Sequence, residues 1–406
     1  TGGHAVNWPM VKLGDVATVN PRAPKELDSA QIVSFVGMAS VSEDGYLQSE
    51  EPRVLEETKK GFTYFAKSDV LIAKITPCFE NGKCLRPSQI SNPIGFGSTE
   101  FHVLRPDESR LDATYLFYMI WSNQFRALGA ASMSGAAGQK RVGSDFLKNF
   151  EIPLPPLTEQ KCIAAILDKA DAICRKRQQA IQLADDFLRA VFLEMFGDPV
   201  TNPKGWEVKP LRDVLKSISS GWSANGDSRS CEEGELGVLK ISAVTSGTFI
   251  PTENKAVQVS DIPSSKKLVF PKKGDMLFSR ANTRELVAAS CIVVEDSLNT
   301  FLPDKLWLIK TDESQLLPEF LNFLLKIPGF KEKLTSQATG SSGSMLNISM
   351  GKFEQTDCLI PPIDLQHRFK NLYWKLQETL SSFGQSESTL QSSFNSLSQQ
   401  AFSGQL

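Results

Sequence analysis

The sequence predicts an α+β chain of two similar domains and two long helices. Three observations lead there. The chain repeats itself with a period of about 200 residues, too long for a solenoid, whose repeats run ~20–50 residues. Each copy ends in a Pro-Pro stop, at Pro155-Pro156 and Pro361-Pro362. Each stop precedes a long stretch in which apolar residues recur at helical spacing. With 406 residues, the length fits about two or three domains.

The repeat shows first in Trp8-Pro-Met-Val-Lys-Leu-Gly-Asp-Val, which returns as Trp206-Glu-Val-Lys-Pro-Leu-Arg-Asp-Val. Lys67-Ser-Asp-Val-Leu-Ile-Ala-Lys74 returns as Lys273-Gly-Asp-Met-Leu-Phe-Ser-Arg280. Within these, Val70 to Ala73 and Met276 to Phe278 read as buried strands. Phe101 to Leu104 and Leu306 to Ile309 read as their partners. Short helices are expected over Thr114 to Phe125 and Pro318 to Leu325. The Gly- and Ser-rich stretches Ser132 to Gly143 and Thr339 to Gly351 read as loops.

The long helices follow. Thr158 is placed to cap the first, and apolar residues recur from Ile163 through Ile166, Ala170, Ile173, Ala180, Ala184, Phe187 and Val191 to Met195. Gly197-Asp198-Pro199 stops it. Asp364 is placed to cap the second, where Leu365, Phe369, Leu372, Leu376, Thr379 and Phe383 alternate gaps of four and three. The domains then run 1–157 and 198–362, and the helices 158–197 and 363–406. Each helix could pack on its own domain, or the two could pack on each other. At 1.5 Å per residue each spans roughly 55–60 Å, against about 30 Å for a domain of this size. That excess favours mutual packing, with Ile166, Ile173 and Phe187 facing Phe369, Leu376 and Phe383.

Composition narrows the function. The net charge is −2, which does not advertise a nucleic-acid partner, although local clustering of Lys and Arg matters more than the total. The 7 cysteines are odd in number and none are spaced Cys-x-x-Cys, so a reducing, cytoplasmic setting is expected. The 3 histidines lie far apart, without zinc-ligand spacing. No apolar run approaches the ~20 residues of a membrane span, and no secretory signal pattern opens the chain.

Catalytic signatures are missing. Gly135-Ala-Ala-Gly138-Gln-Lys140 looks like a phosphate loop but is too short, with no Ser or Thr after the Lys. Leu154-Pro-Pro-Leu157 and Ile360-Pro-Pro-Ile363 lack the polar first residue and the aromatic last residue of an amino-methyltransferase motif. An enzyme working alone is not expected.

The whole arrangement resembles the DNA-specificity subunit of a Type I restriction–modification system. The resemblance rests on Lys74-Ile-Thr-Pro-Cys-Phe-Glu-Asn-Gly-Lys83, Ser98-Thr-Glu-Phe-His-Val-Leu-Arg-Pro106, Phe150-Glu-Ile-Pro-Leu-Pro-Pro-Leu-Thr-Glu-Gln160 and Phe196-Gly-Asp-Pro-Val-Thr-Asn-Pro-Lys-Gly-Trp206. The second copy departs from it at Pro362-Ile-Asp-Leu-Gln366. The resemblance implies two target-recognition domains joined by an antiparallel coiled coil, each reading half of a split, asymmetric double-stranded DNA site. It implies two methylation subunits as partners, with two restriction subunits able to join them. It also implies adenine-N6 methylation with S-adenosylmethionine held by the partner, and no cofactor in this chain. The alternatives are a coiled-coil scaffold for two proteins without DNA recognition, and a self-contained methyltransferase or nuclease.

Base reading pairs Arg or Lys with guanine and Asn or Gln with adenine. In the first copy the candidates for DNA contact are Gln139, Lys140 and Arg141 after the glycines, with Lys74 and Thr76 at a strand end. In the second, the repeat matches Arg280 and Asn282 to Lys74 and Thr76, with Arg284 beyond. Ser342, Ser344 and Asn347 lie in the loop matching Gln139 to Arg141.

Overall fold

The computed structural model describes residues 8–136, 138–339, 345–382 and 387–405. The chain forms two units, residues 1–179 with 385–406, and residues 180–384. These bounds differ from the expected domains because the long helix Leu157–Phe196 is divided between them after Gln179 and the chain end belongs to the first. Each unit completes its core with helix. Ile163, Ala164 and Leu167 are buried with Leu116, Tyr118 and Phe394 in the first. Leu188, Phe192 and Phe196 are buried with Phe320 and Phe369 in the second.

In the first unit, Ala17–Val19, Phe101–Pro106, Val70–Ala73 and Cys84–Leu85 pair in that order as an antiparallel sheet. The expected pairing of Val70–Ala73 with Phe101 onward is present, with Val70 opposite Leu104. A second sheet orders Glu51–Val54, Ile32–Val36, Ile94–Gly97 and Thr63–Ala66, with one parallel pair in the middle. Met10–Lys12 pairs with Glu151–Pro153 and ties the start of the unit to the Pro-Pro stop.

The second unit repeats the plan. Leu215–Ser220, Leu306–Thr311, Met276–Ser279 and Ser290–Ile292 form its antiparallel sheet, with Met276 opposite Ile309. Asn254–Val257, Leu236–Leu239 and Thr300–Phe301 form the second sheet, again with one parallel pair. Glu207–Pro210 pairs with Asp357–Ile360 as Met10–Lys12 does with Glu151–Pro153.

Three helical expectations need correction. The stretch from Thr114 to Phe125 is two helices, Ala113–Trp121 and Asn123–Ser132, because Ser122 turns extended and its hydroxyl accepts from Phe125 N–H at 3.3 Å. The long helix starts at Leu157, not at a Thr158 cap, with the Pro156 carbonyl accepting from Glu159 and Gln160 N–H. The second long segment is described as Ile363–Ser382 and Glu387–Phe402, and Phe383 lies outside the described residues. Gly197 ends the first long helix as expected. It sits at φ +78°, where a Cβ would lie 2.8 Å from Pro203.

The buried face of the long helix also differs from the expected set. Ile166, Ile173 and Phe187 are 39%, 55% and 50% exposed. The buried stripe instead runs Gln160, Ile163, Ala164, Leu167 and Asp171 in the first unit, then Ala184, Leu188, Phe192 and Phe196 in the second. Two members of that stripe are polar, so a search for apolar residues settles on its neighbour. Phe369 is buried, its ring 5.4 Å from that of Phe192 and 5.8 Å from that of Phe196. Leu376 is partly buried against the same core.

Candidate nucleic-acid interface

The first unit builds its candidate surface at the end of strand Val70–Ala73. Beyond the strand, Lys74 N–H donates to the Glu100 carbonyl at 2.9 Å. The Gly-rich stretch folds back as a hairpin, closed by Ser134 and Arg141 exchanging backbone bonds of 3.1 and 2.9 Å. Glycine is needed here. Gly135 at φ +127° leaves 3.0 Å between a Cβ and the Gln139 carbonyl, and Gly138 sits at φ +80°. The hairpin lies along the strand extension, with Thr76 N–H donating to the Lys140 carbonyl at 3.0 Å and Val142 N–H to the Lys74 carbonyl at 2.9 Å. Lys74, Thr76, Gln139, Lys140 and Arg141 are thereby gathered on one surface, with Gln139 and Lys140 exposed.

Two groups fix that surface. Arg141 meets Glu100 through two bonds, Nε to Oε2 at 3.0 Å and Nη2 to Oε1 at 2.9 Å. The Arg141 guanidinium holds the Glu100 carboxyl below its ordinary range. Beneath them, buried His102 bonds the Val142 carbonyl through Nε2 at 2.9 Å, and Asn20 through Nδ1. Burial pushes the His102 pKa down, which favours the uncharged ring. With the Val142 carbonyl as acceptor, Nε2 carries the proton and Nδ1 accepts from the Asn20 amide.

The second unit repeats the geometry with other side chains. Thr339 and Asn347 exchange backbone bonds of 2.9 Å as Ser134 and Arg141 do. Ile348 N–H donates to the Arg280 carbonyl at 2.8 Å, as Val142 does to Lys74. Ala281–Asn282 pairs with Leu346–Asn347. The match of Arg280 and Asn282 to Lys74 and Thr76 therefore holds in the backbone. Asn347, rather than the neighbouring serines, stands where Arg141 stands. Ser342 and Ser344 lie outside the described residues. Arg280 donates through Nε to the Asp304 carbonyl and through Nη1 to Asn347 Oδ1, both at 2.8 Å. Asn282 Oδ1 accepts from Thr283 N–H, and Arg284 is exposed.

Three further features escaped the sequence. Gln160 is fully buried. It accepts from Asp112 N–H and donates to the Arg110 and Pro155 carbonyls, each at 2.8 Å. Gln366 repeats this with Leu317 N–H and the Gln315 and Pro361 carbonyls. The repeated Pro-Pro-x-x-x-Gln spacing was the available signal. Arg86 donates to Tyr118, Asp168 and Asp171, while Tyr46 bonds Asp171 from a ring covered by Arg175. Burial raises the Asp171 pKa. Nothing local in the sequence marks that network. Among the described residues, no group of three or more His, Cys, Asp and Glu is placed to hold a metal ion, and no helix is long and apolar enough to cross a membrane.

Comparison with known proteins assigns the first copy. Residues 5–183 match the sequence model of the Type I restriction modification DNA specificity domain. Beyond them, the chain is similar to Type I specificity subunits over most of its length. It is 27% identical to the EcoEI specificity subunit of Escherichia coli, over 88% of this chain and 76% of that one. It is 39% identical to the Escherichia coli EcoAI specificity subunit, over 42% of this chain and 29% of that one. The crystal structure of a Type I S subunit from M. genitalium shares the fold, with a TM-score of 0.58, 14% identity, and coverage of 98% of this chain and 96% of that one.

Proposed function

We propose that this chain is the DNA-specificity subunit of a Type I restriction–modification system, without catalytic activity of its own. Each unit reads one half of a split, asymmetric double-stranded DNA site. Two methylation subunits bind the chain and hold the S-adenosylmethionine used on adenine N6, and two restriction subunits can join them. The two long helical segments pack as an antiparallel coiled coil and set the gap between half-sites.

The observation that carries the reading is the hairpin laid along a strand end, built twice on one backbone plan with different side chains. Lys74, Lys140 and Arg141 in the first unit stand where Arg280, Leu346 and Asn347 stand in the second. Equal scaffolds with unequal polar tips suit two unequal half-sites. The coiled coil is supported by Phe369 of the second helical segment meeting Phe192 and Phe196 of the first.

The test is a domain exchange. The chain is co-expressed with its methylation subunits, and residues 206–360 are replaced by those of a relative. Methylome sequencing should show one half-site changed and the other kept. Both half-sites changing together, or methyl transfer by the purified chain alone, would refute the reading.

A further inference from the structure

The arginines of the two hairpins are held differently. Arg141 presents its Nε–Nη2 edge to Glu100 through bonds of 3.0 and 2.9 Å, and Nη1 donates to the Gln139 carbonyl at 3.2 Å. A guanidinium has five N–H donors in a fixed plane. These three bonds leave two, one on Nη1 and one on Nη2. Two donors side by side on a guanidinium span O6 and N7 of guanine in the major groove. The Arg141 side chain is 43% exposed and Glu100 beside it is 28% exposed, so the guanidinium is open to a partner.

The backbone beneath is equally fixed. Arg141 exchanges bonds with Ser134 and bridges Ile75. Glu100 is held by Lys74 N–H on its carbonyl and by its own N–H donating to the Ser98 hydroxyl. A fork already ordered loses little freedom on binding. Charge separates base from phosphate. The Arg141–Glu100 pair is neutral overall, so it draws a phosphate weakly, whereas a base edge asks only for two aligned donors.

The second unit supplies the contrast. Each Arg280 guanidinium nitrogen also has a partner, Nε the Asp304 carbonyl, Nη1 Asn347 Oδ1 and Nη2 Asp304 Oδ2 at 3.5 Å, but the side chain is 23% exposed against 43% for Arg141. Arg280 braces its hairpin.

We propose that Arg141, aimed by Glu100, reads a guanine in the DNA half-site of the first unit. Glu100 is the positioning residue. This inference rests on the proposed function and names the base and the residue that reads it.

The test uses the chain assembled with its methylation subunits. The wild-type methylome defines the target, and duplexes substituted at each base pair of it compete for the complex. Arg141→Ala and Arg141→Lys should each abolish discrimination at a single G·C pair of one half-site, a loss of roughly 5- to 100-fold. The other positions should keep their preferences. The lysine variant keeps the charge and an ion pair with Glu100 but lacks the planar fork, so it answers any loss of folding in the alanine variant. Glu100→Gln should weaken discrimination at the same pair while Arg141 remains. Uniform weakening across all positions, with a shallower salt dependence, would mark a phosphate contact and overturn the inference. So would an unchanged preference in Arg141→Lys. A wild-type complex with no sequence preference would instead refute the proposed function, and this inference with it.

Discussion

Replacing Gln160 by Leu isolates one polar group buried at the start of the long helix. The side chains are similar in volume, so the change removes hydrogen bonds and leaves little cavity. Three backbone groups lose their partner: Asp112 N–H and the carbonyls of Arg110 and Pro155. A buried group left unsatisfied costs about 1–3 kcal/mol. Pro155 is buried, whereas Arg110 is exposed and Asp112 half-buried, so water repairs part of the loss at the latter two. The net cost is about 2–5 kcal/mol, which for a unit of this size lowers the melting midpoint by roughly 5–15 °C. Hydrogen exchange read peptide by peptide is the assay. Exchange should accelerate at the start of helix Leu157–Phe196 and in Ala113–Trp121, with protection in residues 206–360 unchanged. Gln366→Leu should give the mirror result in the second unit. Gln160→Leu with unchanged protection, and stability within about 0.5 kcal/mol of the original, would refute this account of the glutamine.

Arg86→Met removes the guanidinium paired with the buried Asp171 carboxyl, at a cost of about 3–5 kcal/mol in chemical denaturation, part of which Asp171→Asn should restore in the double variant. The Asp171 pKa is already raised by burial, so the native state binds the extra proton and stability falls as pH rises through the raised value. Arg86→Met should raise that pKa further and extend the fall to higher pH. The His102 pKa is depressed by burial from 6.5, and Lys74 depresses it further against the opposing pull of Glu100. Its contribution is therefore present above about 6.5 and lost as pH falls through the folded value. Protection of the Val142 amide and the hairpin, relative to the intrinsic exchange rate at each pH, should fall on acidification, and His102→Gln should remove that dependence.

Much of this organisation was legible in the chain itself. Order along the sequence fixes a repeat, so Val70–Ala73 and Met276–Ser279 were identifiable as equivalent strands with equivalent partners. The Pro-Pro stops, the helices after them, the Gly197 termination and the glycines behind Arg141 are local backbone chemistry, readable within a few residues. The equivalence of Lys74 with Arg280 followed from the same alignment.

Tertiary structure decided which face of each helix is buried and which polar groups act together. Gln160 and Asp171 lie in the buried stripe while Ile166, Ile173 and Phe187 stay exposed, because the partners that satisfy the polar pair come from far along the chain. Gln160 bonds Arg110 50 residues away, Asp171 bonds Arg86 85 residues away, and Arg141 bonds Glu100 41 residues away. A polar side chain can be buried when its hydrogen bonds are met, and only the folded chain brings those partners within reach.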